Sequence, residues 1–453
     1  MLTVDSFWQN FLTLPLPYKQ VSDANYLIAY SGGCDSHVLL HLLSELKKSG
    51  KLVNVKAVHV NHQLHSESDQ WAKHCVEQCE QYAIACDVFN VSINKQSNKG
   101  LEDAARTARY AILEECVTDN SYLLTAQHAD DQVETFLLQS LRGGGVKGLA
   151  SMPQIKPFSK GHLLRPLLHT RQEMITEYAK LNQLNWVDDP SNLNTDFDRN
   201  FLRKKVIPVL KQRWPSLDKT LSRLTQHQAE AAELIDALAE ADLTMVQVEP
   251  DLIAIDKLKS LTLIRQKNVL RYWIAQFKNL TIPDNKHLMR ILNEVIVASK
   301  DSQPKVQWHD TVVRRFQGNL YAQKIDLVKT LKPIEQWNPE QVYNLLGDST
   351  HLSHAQKVVT TPSTGRGLSI EKLKNKKVSI RFRCGGEVCC PQGRGSQHHK
   401  LKNLFQEWQI APWMRDQIPL IYVDDELAQV VGYCLCEPFA AEANEPSYDI
   451  VLQ

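Results

Sequence analysis

The first half of the chain alternates short apolar runs with longer amphipathic segments. Each of four strand-length apolar runs precedes a segment in which apolar residues recur at helical spacing. The pattern predicts strands at residues 26–30, 53–60, 84–91 and 122–125, and helices at 37–48, 67–82, 101–117 and 130–141. Because strands and helices alternate at the spacing of βαβ units, we predict an α/β fold with an open parallel sheet. Ligands of such sheets bind beyond the carboxyl ends of the strands.

The pattern changes after Pro208. Residues 216–243 and 258–277 are rich in Ala, Leu, Gln and Glu at helical spacing, a further helix is predicted from Pro283 toward residue 298, and a short β-like run occupies 311–321. Periodicity is weak over 325–370. We therefore predict an N-terminal domain at 1–215, a mainly helical domain at 216–325, a connector at 326–370, and a small C-terminal α/β or β-rich domain at 371–453.

Length and composition narrow the class of protein. A chain of 453 residues is expected to form two or three domains. Since 52 Lys and Arg residues balance 51 Asp and Glu residues, any nucleic-acid binding must come from local basic patches. The chain has no long apolar run and no leader-like N-terminus, so we expect a cytoplasmic protein without a membrane partner, whose ten cysteines are reduced. Monomer and homodimer both stay open.

Residues 31–36, Ser-Gly-Gly-Cys-Asp-Ser, join the first predicted strand to the first predicted helix. Glycines allow backbone N–H groups to approach an anion closely, and the helix N-terminus favours negative charge. No lysine follows the glycines, which excludes the Gly-Lys-Ser/Thr loop of ordinary nucleoside triphosphatases. We predict a site for a nucleotide phosphate chain that releases pyrophosphate, formed by Ser31, Gly32, Gly33, Cys34, Asp35 and Ser36, with Asp35 as the Mg²⁺ ligand.

A second motif follows the fourth predicted strand, at residues 125–135. On the helix that begins there, Asp130 and Asp131 lie four and three residues before Glu134, so the carboxylates share one face. The cluster could bind Mg²⁺, or it could receive an ammonium group and take its proton. Acids in a first helical turn also stabilise the helix without any ligand. His128 stands immediately before the acids.

Arginine pairs at helical spacing form a third group of candidates. Arg106 and Arg109 are three residues apart and could both face one phosphate, or could form a solvated face with neighbouring acids. A Pro-Ser-Asn turn at 190–192 leads into a helix on which Arg199 and Arg203 are four residues apart. Their spacing would allow them to contact successive phosphates, or they could be surface arginines of the helix. Arg142 is the first residue of a glycine-rich turn. The turn could bind an RNA backbone, or it could be a loop without a binding role.

The C-terminal module contains a local basic patch. Between residues 371 and 402 nine Lys and Arg side chains, among them Arg381, Lys400 and Lys402, face only two acids, so we predict RNA phosphate binding there. A soluble strand face is the alternative. The same module contains Cys384, Cys389, Cys390, Cys434 and Cys436, with His398 and His399 nearby. Their spacing fits no familiar zinc finger, so we expect small thiols without a metal.

Taken together, these motifs resemble the N-type ATP pyrophosphatase superfamily and, within it, the bacterial tRNA(Ile)-lysidine synthetase family. The resemblance is carried by residues 31–36, 100–110, 128–135, 142–149, 189–192 and 199–203. Residues 400–408 and 410–419 are similar to the final domain of that family. One departure lies at residues 62–65, His-Gln-Leu-His, where many relatives have His-Gly-Leu-Arg, so the arginine's phosphate contact is not implied here.

The resemblance implies a ligase that uses ATP and Mg²⁺ to modify the wobble cytidine of a tRNA(Ile) with a CAU anticodon. The cytosine C2 oxygen attacks the α-phosphate of ATP, which gives an adenylated base and pyrophosphate. The ε-amine of L-lysine then displaces AMP and forms a C–N bond. The product, lysidine, changes codon reading from AUG to AUA.

The resemblance also implies roles for residues. The catalytic set is Asp35, Arg106, His128, Asp131 and Glu134, with the two later acids suited to receive and deprotonate lysine. The set expected to contact lysine or tRNA is Asp130, Asp131, Glu134, Arg109, Arg142, Arg199, Arg203, Arg381, Lys400 and Lys402. Cys34 occupies a variable loop position and is not expected to be a nucleophile.

Two other functions stay open on the sequence. A tRNA thiolase with the same loop adenylates a base and then delivers sulfur, usually through a Cys-x-x-Cys pair, and the pair Cys75 and Cys79 has a different spacing. The second alternative is a non-catalytic RNA-binding protein on a vestigial nucleotide fold. The retained carboxylates at Asp35, Asp131 and Glu134 argue against it.

Overall fold

The computed structural model describes residues 1–18, 22–91, 101–190, 194–277, 279–299, 302–325, 331, 333–344, 357–395 and 397–452, with only the backbone described at 101–103. These residues form two compact units, Met1–Leu234 and Ile235–Gln453. The finer division at 215, 325 and 370 stays a prediction, and much of the predicted connector (326–330, 332 and 345–356) lies outside the described residues. None of the described helices is both long and apolar enough to cross a bilayer.

The first unit is built on a six-stranded sheet. Its strands are β1 (Asn25–Ala29), β2 (Asn54–Asn61), β3 (Ala85–Asn90), β4 (Ser121–Leu124), β5 (Ile155–Phe158) and β6 (Gly161–Leu164). Its helices are α1 (Val4–Leu12), α2 (Cys34–Lys48), α3 (Ser68–Gln81), α4 (Leu101–Cys116), α5 (Ala129–Leu141), α6 (Val146–Leu149), α7 (Gln172–Leu181), α8 (Asp198–Phe201) and α9 (Ile207–Arg213). Helix α10 (Leu217–Val246) runs from the first unit into the second.

The strand order is β3-β2-β1-β4-β6-β5, and every pairing except the β5–β6 hairpin is parallel. The predicted α/β fold with an open parallel sheet is therefore confirmed, and all four predicted strands of the first half are present with small shifts at their ends. Beyond the prediction, β5 and β6 extend the sheet on the β4 side. Their runs are only four residues long, too short for a clear periodic pattern.

Both faces of the sheet are buried, as a parallel sheet requires. On β1, Ile28 packs in a cluster with residues of α1, α2 and α7, whereas Leu27 packs on the opposite face with Leu113 of α4. The chain leaves β1 toward β2 on one side, and β4 pairs with β1 on the other side. Loops after β1 and β4 therefore diverge and leave a crevice at the carboxyl edge of the sheet, the usual ligand position in this fold.

A π-helical turn joins α8 to α9 at Leu202–Val206. Pro208 stands at the start of α9 and has no N–H group, and its ring would clash with the carbonyl group four residues earlier in a regular helix. A wider turn before the proline relieves that clash and keeps α8 and α9 in one continuous helical path. This turn carries Arg203, which faces the crevice residues described below.

The second unit begins with α10 and a five-stranded antiparallel sheet of order β7-β8-β11-β10-β9. These strands are β7 (Gln247–Glu249), β8 (Leu252–Ala254), β9 (Lys305–Trp308), β10 (Thr311–Phe316) and β11 (Asn319–Lys324), and the helices are α11 (Ile255–Lys259), α12 (Leu263–Ala275) and α13 (Asn285–Arg290). A π-helical segment, Ile291–Ile296, continues α13.

Two features of this region go beyond the prediction. The segment 258–277, predicted as helical, is divided into α11, which ends at Lys259, and α12, which starts at Leu263. The Ser260 hydroxyl donates to the Lys257 carbonyl at 2.7 Å, a local bond that competes with helix continuation. The β-like run at 311–321 is part of a five-stranded sheet, whose partners β7 and β8 are too short and too distant in sequence to be read from periodicity.

The remaining residues form small antiparallel sheets around one core. Their strands are β12 (Tyr343–Asn344), β13 (Lys357–Thr364), β14 (Leu368–Ser369), β15 (Val378–Arg381), β16 (Val388–Cys389), β17 (His399–Lys400), β18 (Leu420–Val423), β19 (Glu426–Val430), β20 (Cys434–Leu435) and β21 (Pro446–Leu452). Helices α14 (Ile370–Leu373) and α15 (Leu401–Glu407) complete the module, whose core includes Leu404, Phe405 and Ile421. The predicted β-rich C-terminal module is thereby confirmed.

Gly32→Ala is expected to lower the melting temperature more than Gly50→Ala. Both glycines have positive φ, 85° and 70°, so alanine costs about 1 kcal/mol at either position. At Gly32 the added Cβ would also lie 2.8 Å from the Cys75 Sγ atom, whereas nothing lies within 4 Å at Gly50. Thermal unfolding followed by circular dichroism measures the difference.

The variant Cys75→Ala provides the control for this crowding. Combined with Gly32→Ala, it removes the sulfur atom that the new methyl group would meet, so the double variant should lose less than the sum of the two single losses. Equal losses for Gly32→Ala and Gly50→Ala, with no recovery in the double variant, would contradict the expectation.

Candidate active site

The loop between β1 and α2 forms an anion cradle. Gly33 is the N-cap residue of α2 and provides no side-chain hydrogen bond to the helix, so the N–H groups of the first turn stay available to a ligand. The Ser31 and Ser36 hydroxyl oxygens lie 3.0 Å apart, and the Ser36 hydroxyl donates to the Gly33 carbonyl at 2.9 Å. These bonds hold the loop in one conformation around the helix N-terminus. A phosphate at this position would meet backbone N–H groups and the positive end of α2.

Cys34 lies in the same loop but does not have the character of a nucleophile. Burial, followed by the charges of Asp35 and Asp188, raises the pKa of the Cys34 thiol to about 12. The thiol is therefore protonated near neutral pH, and a protonated thiol is a poor nucleophile. This agrees with the expectation that Cys34 is not a nucleophile.

Asp35 fits the metal ion that the family resemblance implies. Its Oδ1 atom is buried and has no hydrogen-bond partner among the described residues, and its Oδ2 atom lies 3.5 Å from His128 Nε2. Nowhere in the described ranges do three or more His, Cys, Asp or Glu side chains group as a preformed metal site. One carboxylate oxygen beside an anion cradle suits Mg²⁺, which is usually held by one or two carboxylates together with the phosphates of a nucleotide.

His128 connects the two loops of the crevice. It is the N-cap residue of α5 and is only 1% exposed. Its Nε2 atom lies 3.5 Å from both Asp35 Oδ2 and Asp131 Oδ2, and its Nδ1 atom lies 3.8 Å from Asp130 Oδ2. Burial lowers the pKa of His128, but the hydrogen bond with Asp35 and the charges of the three carboxylates outweigh it, so the pKa is raised. A protonated ring here offsets part of the repulsion among the acids.

The acids of α5 are paired with arginines from α8 and the π-helical turn. Glu134 is 1% exposed and receives Arg199 Nε at 2.7 Å and Arg203 Nε at 2.5 Å. Asp131 Oδ1 receives the Nη2 atoms of Arg199 and Arg203 at 3.0 and 3.1 Å. Burial lowers the pKa of both arginines, but the carboxylates more than restore it. The four side chains, Asp131, Glu134, Arg199 and Arg203, form what we call the ion-pair cluster.

The cluster changes how the sequence motifs relate to one another. From spacing, Arg199 and Arg203 were expected to contact successive phosphates, and Asp131 with Glu134 was expected to receive lysine. In the structure the guanidinium groups instead lie on those carboxylates, so the two expected sites occupy the same place. Periodicity within each helix cannot reveal this, since the partners are more than 60 residues apart in the chain. The Pro-Ser-Asn turn itself includes residues outside the described ranges.

Asp130 belongs to a neighbouring pair that the sequence reading missed. Lys211 of α9 donates to Asp130 Oδ1 at 2.5 Å, and the Gln172 N–H donates to Asp130 Oδ2 at 2.9 Å. Burial alone would raise the pKa of Asp130. These two hydrogen bonds and the Lys211 charge outweigh burial, so the pKa of Asp130 lies below its usual value. Lys211 had no signal of its own, because it is one cation among several on that helix.

Arg165 is a second residue that was missed. It directly follows β6, so it lies at the carboxyl edge where ligands are expected, and this position was the only available signal. It is 4% exposed, donates to the Pro153 carbonyl at 2.6 Å, and its Nε atom has no hydrogen-bond partner among the described residues. Burial is the main cause that lowers its pKa, and the Arg106 charge acts in the same direction.

The other predicted cations contact different groups. Arg106 lies over the Tyr110 ring, with Cζ 4.8 Å from the ring centroid, and Arg109 lies 5.9 Å from the same centroid. Arg142 is exposed and contacts Asp198 at 3.5 Å. Gly100, the first residue of the Arg106 motif, lies outside the described residues. In the departure at 62–65, His65 stacks on Trp71 with centroids 4.9 Å apart.

The C-terminal basic patch is less positive than its sequence window implies. Lys377, Arg381, Arg383 and Arg394 contact Glu335, Asp425, Asp416 and Glu407, acids that lie outside residues 371–402. The predicted polar face of β15 also needs correction, because Ser379 is fully buried. Lys400 and Lys402 are exposed. Within this patch, these two lysines are the better-placed candidates for contact with RNA phosphates.

Three family models match this chain. A PP-loop domain matches residues 9–210, a TilS substrate binding domain matches 254–321, and a TilS substrate C-terminal domain matches 378–452. The tRNA(Ile)-lysidine synthase of Coxiella burnetii is 41% identical over 95% of this chain and 94% of its own length. The proteins of that name from Legionella pneumophila strain Paris and Yersinia pestis are 36% and 34% identical, over 94% and 97% of this chain and 95% and 96% of theirs.

Likeness to solved structures is weaker. A U34-tRNA thiolase from Methanococcus maripaludis is 17% identical and superimposes with a TM-score of 0.42, covering 50% of this chain and 78% of the thiolase. That similarity is too low to bear on function. The sequence relatives are similar over nearly their whole length and above 30% identity, and the anion cradle lies within the matched PP-loop domain. The chain therefore belongs to the tRNA(Ile)-lysidine synthase family of PP-loop enzymes.

Proposed function

We propose that this protein joins L-lysine to C2 of the wobble cytidine in a CAU-anticodon tRNA(Ile), with ATP as the activating substrate. The observation that carries the proposal is the meeting of two sites at one sheet edge. The anion cradle at 31–36 suits the phosphate chain of ATP, and the buried carboxylates of α5 lie next to it, joined through His128. An amine-accepting site directly beside a pyrophosphate site is what the two-step ligation needs.

In the first step the protein positions ATP and stabilises the leaving pyrophosphate. The backbone N–H groups at the start of α2 hold its anionic oxygens, in a loop that the Ser31 and Ser36 hydroxyl groups keep in shape. Mg²⁺, held with the help of Asp35, would neutralise charge on the phosphate chain. Arg106 and Arg165 supply positive charge at the same edge. These contributions are positional and electrostatic, which suits phosphoryl chemistry.

In the second step the ε-amine of lysine must lose a proton, since its reference pKa is about 10.4. Asp130, Asp131 and Glu134 are the carboxylates able to bind the ammonium group and accept that proton. In the structure these carboxylates are already paired, Asp130 with Lys211 and the other two with the arginines of the ion-pair cluster. Lysine can therefore bind only when one of these cations moves away.

Transfer RNA supplies a reason for that movement. Its phosphates are strong partners for guanidinium groups, which bind phosphate in a bidentate manner as they bind carboxylate. Arg199 and Arg203 are 31% and 35% exposed, so one side of each is open to a ligand. We infer that tRNA binding draws these arginines onto phosphates and releases Asp131 and Glu134 for lysine. The order of events, tRNA before lysine, follows from this exchange.

Sulfur transfer is the competing chemistry, and the cysteines of the first unit are poorly placed for it. Cys75 and Cys79 are fully buried. Burial, followed by the Cys86 charge, raises the pKa of Cys75 to about 12, so its thiol is protonated and shielded from substrate. A non-catalytic RNA-binding role is tested by the same assay as the main proposal.

The central experiment is incorporation of radiolabelled lysine. With ATP and Mg²⁺, label is expected to enter a CAU-anticodon tRNA(Ile) transcript and to be absent from elongator tRNA(Met), which shares that anticodon. Release of AMP and pyrophosphate should match the label in amount. Equal labelling of both transcripts would contradict the specificity, and binding of tRNA without AMP release would favour the non-catalytic alternative.

Two substitutions in the same loop should have opposite outcomes. Asp35→Asn is expected to reduce pyrophosphate release by about a hundredfold or more, because it removes the carboxylate that would help to hold Mg²⁺ against the leaving pyrophosphate. Cys34→Ser should leave turnover close to that of the wild type, since the protonated thiol has no chemical role. A loss of activity in Cys34→Ser equal to that in Asp35→Asn would point to sulfur chemistry.

The exchange of partners predicts an unusual gain of binding in Arg203→Gln. Without tRNA, this variant should bind lysine about tenfold more tightly than the wild type, because ~1.4 kcal/mol of competition from the guanidinium group is removed. Isothermal titration calorimetry with lysine measures the change. Arg142→Gln is the matched control, since Arg142 lies outside the ion-pair cluster and should leave lysine affinity unaltered. Unchanged lysine affinity in a folded Arg203→Gln protein would refute the exchange.

A further inference from the structure

Three cysteines meet in the C-terminal module, far in sequence from the PP-loop domain. Cys389 ends β16, Cys434 begins β20, and Cys436 follows that strand. The Cys389 Sγ atom lies 3.4 Å from Cys434 Sγ and 3.0 Å from Cys436 Sγ. We call these three residues the thiol triad. All three are free cysteines, and their convergence cannot be read from the sequence spacing alone.

The backbone holds the triad in register. The segment after β16 runs antiparallel to the segment after β20, with a bridge between Pro391 and Cys436 and a hydrogen bond from the Glu437 N–H to the Cys390 carbonyl at 2.8 Å. Cys390, which follows Cys389 in the chain, is not part of the triad, because its Sγ atom contacts the Gly395 carbonyl at 3.4 Å. The sulfur atoms need to move by only about 1 to 1.5 Å to reach the disulfide bond length of ~2.05 Å.

A zinc site fits this geometry less well. With Zn–S bonds of about 2.3 Å, tetrahedral coordination keeps sulfur atoms about 3.8 Å apart, farther than either contact of Cys389. His399 pairs with Cys389 across β16 and β17 and would be the nearest histidine by register. The described residues nevertheless contain no group of three or more metal-binding side chains arranged around a metal position.

The three thiols differ in exposure and acidity. Cys389 and Cys436 are each 1% exposed, whereas Cys434 is only partly buried. Hydrogen bonds from Cys389 and Cys436 lower the pKa of Cys434, and the Arg394 charge acts in the same direction. Hydrogen bonds with Cys434 and Cys436, followed by burial, raise the pKa of Cys389. A partly exposed thiolate next to a protonated thiol is the usual arrangement of an attacking and a resolving cysteine.

We propose that the thiol triad is a peroxide-sensitive modification site, at which Cys434 reacts first and a disulfide bond then closes to Cys389. The Cys434 thiolate attacks one oxygen of hydrogen peroxide, so an S–O bond forms, the O–O bond breaks, and the departing hydroxide takes up a proton. The Cys389 sulfur attacks the sulfenic acid, the S–S bond forms, and the S–O oxygen leaves as water with the thiol proton. One peroxide and two thiols give one disulfide and two waters.

Cys436 adds a second outcome to this chemistry. Because it lies 3.0 Å from Cys389, Cys436 can attack that sulfur in the new disulfide, with its thiol proton passing to the departing Cys434 sulfur. The bond then joins the two buried cysteines and the accessible one is reduced again. Excess dithiol reductant reverses either bond by the same exchange. The proposal depends on the C-terminal module alone and not on the proposed ligation.

The test is peroxide oxidation of the full-length, reduced protein, followed by alkylation of remaining thiols and mass spectrometry of non-reduced peptides. We expect a cross-link between the peptide with Cys389 and the peptide with Cys434 and Cys436, reversed by dithiothreitol. Cys389→Ser and Cys434→Ser should each abolish it, and a 1,3-dione probe should trap sulfenic acid at Cys434 in Cys389→Ser. Cys436→Ser should retain the Cys389–Cys434 bond.

Cys390→Ser is the matched control, because it removes the adjacent thiol while leaving the triad intact, and it should cross-link like the wild type. Cross-linking that requires Cys390 instead of Cys389 would overturn the proposal, as would irreversible oxidation of Cys434 without a disulfide. Stoichiometric zinc in the purified protein that protects the triad from alkylation would also overturn it in favour of a metal site. Thermal unfolding of each serine variant, followed by circular dichroism, separates these outcomes from misfolding. An alanine substitution at the same position provides a second variant for each cysteine.

Discussion

The ion-pair cluster is the interaction on which the crevice depends. Glu134 is almost completely buried, and an isolated carboxylate in that position would be strongly destabilising. Two arginines from α8 and the following turn supply the compensating charge, and His128 supplies more from the loop before α5. The cluster therefore ties residues 199–203 to the sheet edge. It also leaves Asp131 and Glu134 paired with arginines, which is why the proposed binding of lysine requires an exchange of partners.

Such exchange gives a physical account of how one small site can serve a polyanion and a cationic amino acid. A guanidinium group can satisfy a carboxylate or a phosphate with similar geometry, so moving it between them keeps both charges compensated throughout. A site with unpaired acids would bind lysine or metal ions at all times, whereas paired acids remain closed until a competing anion arrives. Burial lowers the pKa of His128, but the hydrogen bond with Asp35 and the charges of Asp131 and Asp35 raise it overall, which favours the protonated form of the ring between these carboxylates.

The two ends of the molecule use charge differently. In the first unit, oppositely charged side chains are largely buried and lie close together. Each ion pair therefore helps to hold the segments around the crevice in place. In the C-terminal module, pairs such as Arg381 with Asp425 are largely exposed and contribute little to stability. Their effect is to reduce the net positive charge of the surface. The thiol triad in that module is a separate chemical feature, placed by strand pairing and not by charge.

Much of the first unit was predictable because its signals are local. The alternation of strands and helices, the Gly-Gly turn before α2 and the acids at the start of α5 all depend on neighbouring residues, and the fold class follows from them. The division of 258–277 into two helices was not predictable from periodicity, because the helical spacing continues across the break between Lys259 and Leu263. Strands β7 and β8 were missed because three-residue strands acquire meaning only through distant partners.

The sequence by itself determined the parallel sheet, the anion cradle and the family, since each depends on residue types at short spacing. Only the tertiary structure decided the partners of the charged side chains: Arg199 and Arg203 on Asp131 and Glu134, Lys211 on Asp130, and the buried Arg165 at the sheet edge. The reason is physical. Helical spacing states which face a residue occupies, whereas an ion pair depends on which distant segment packs against that face.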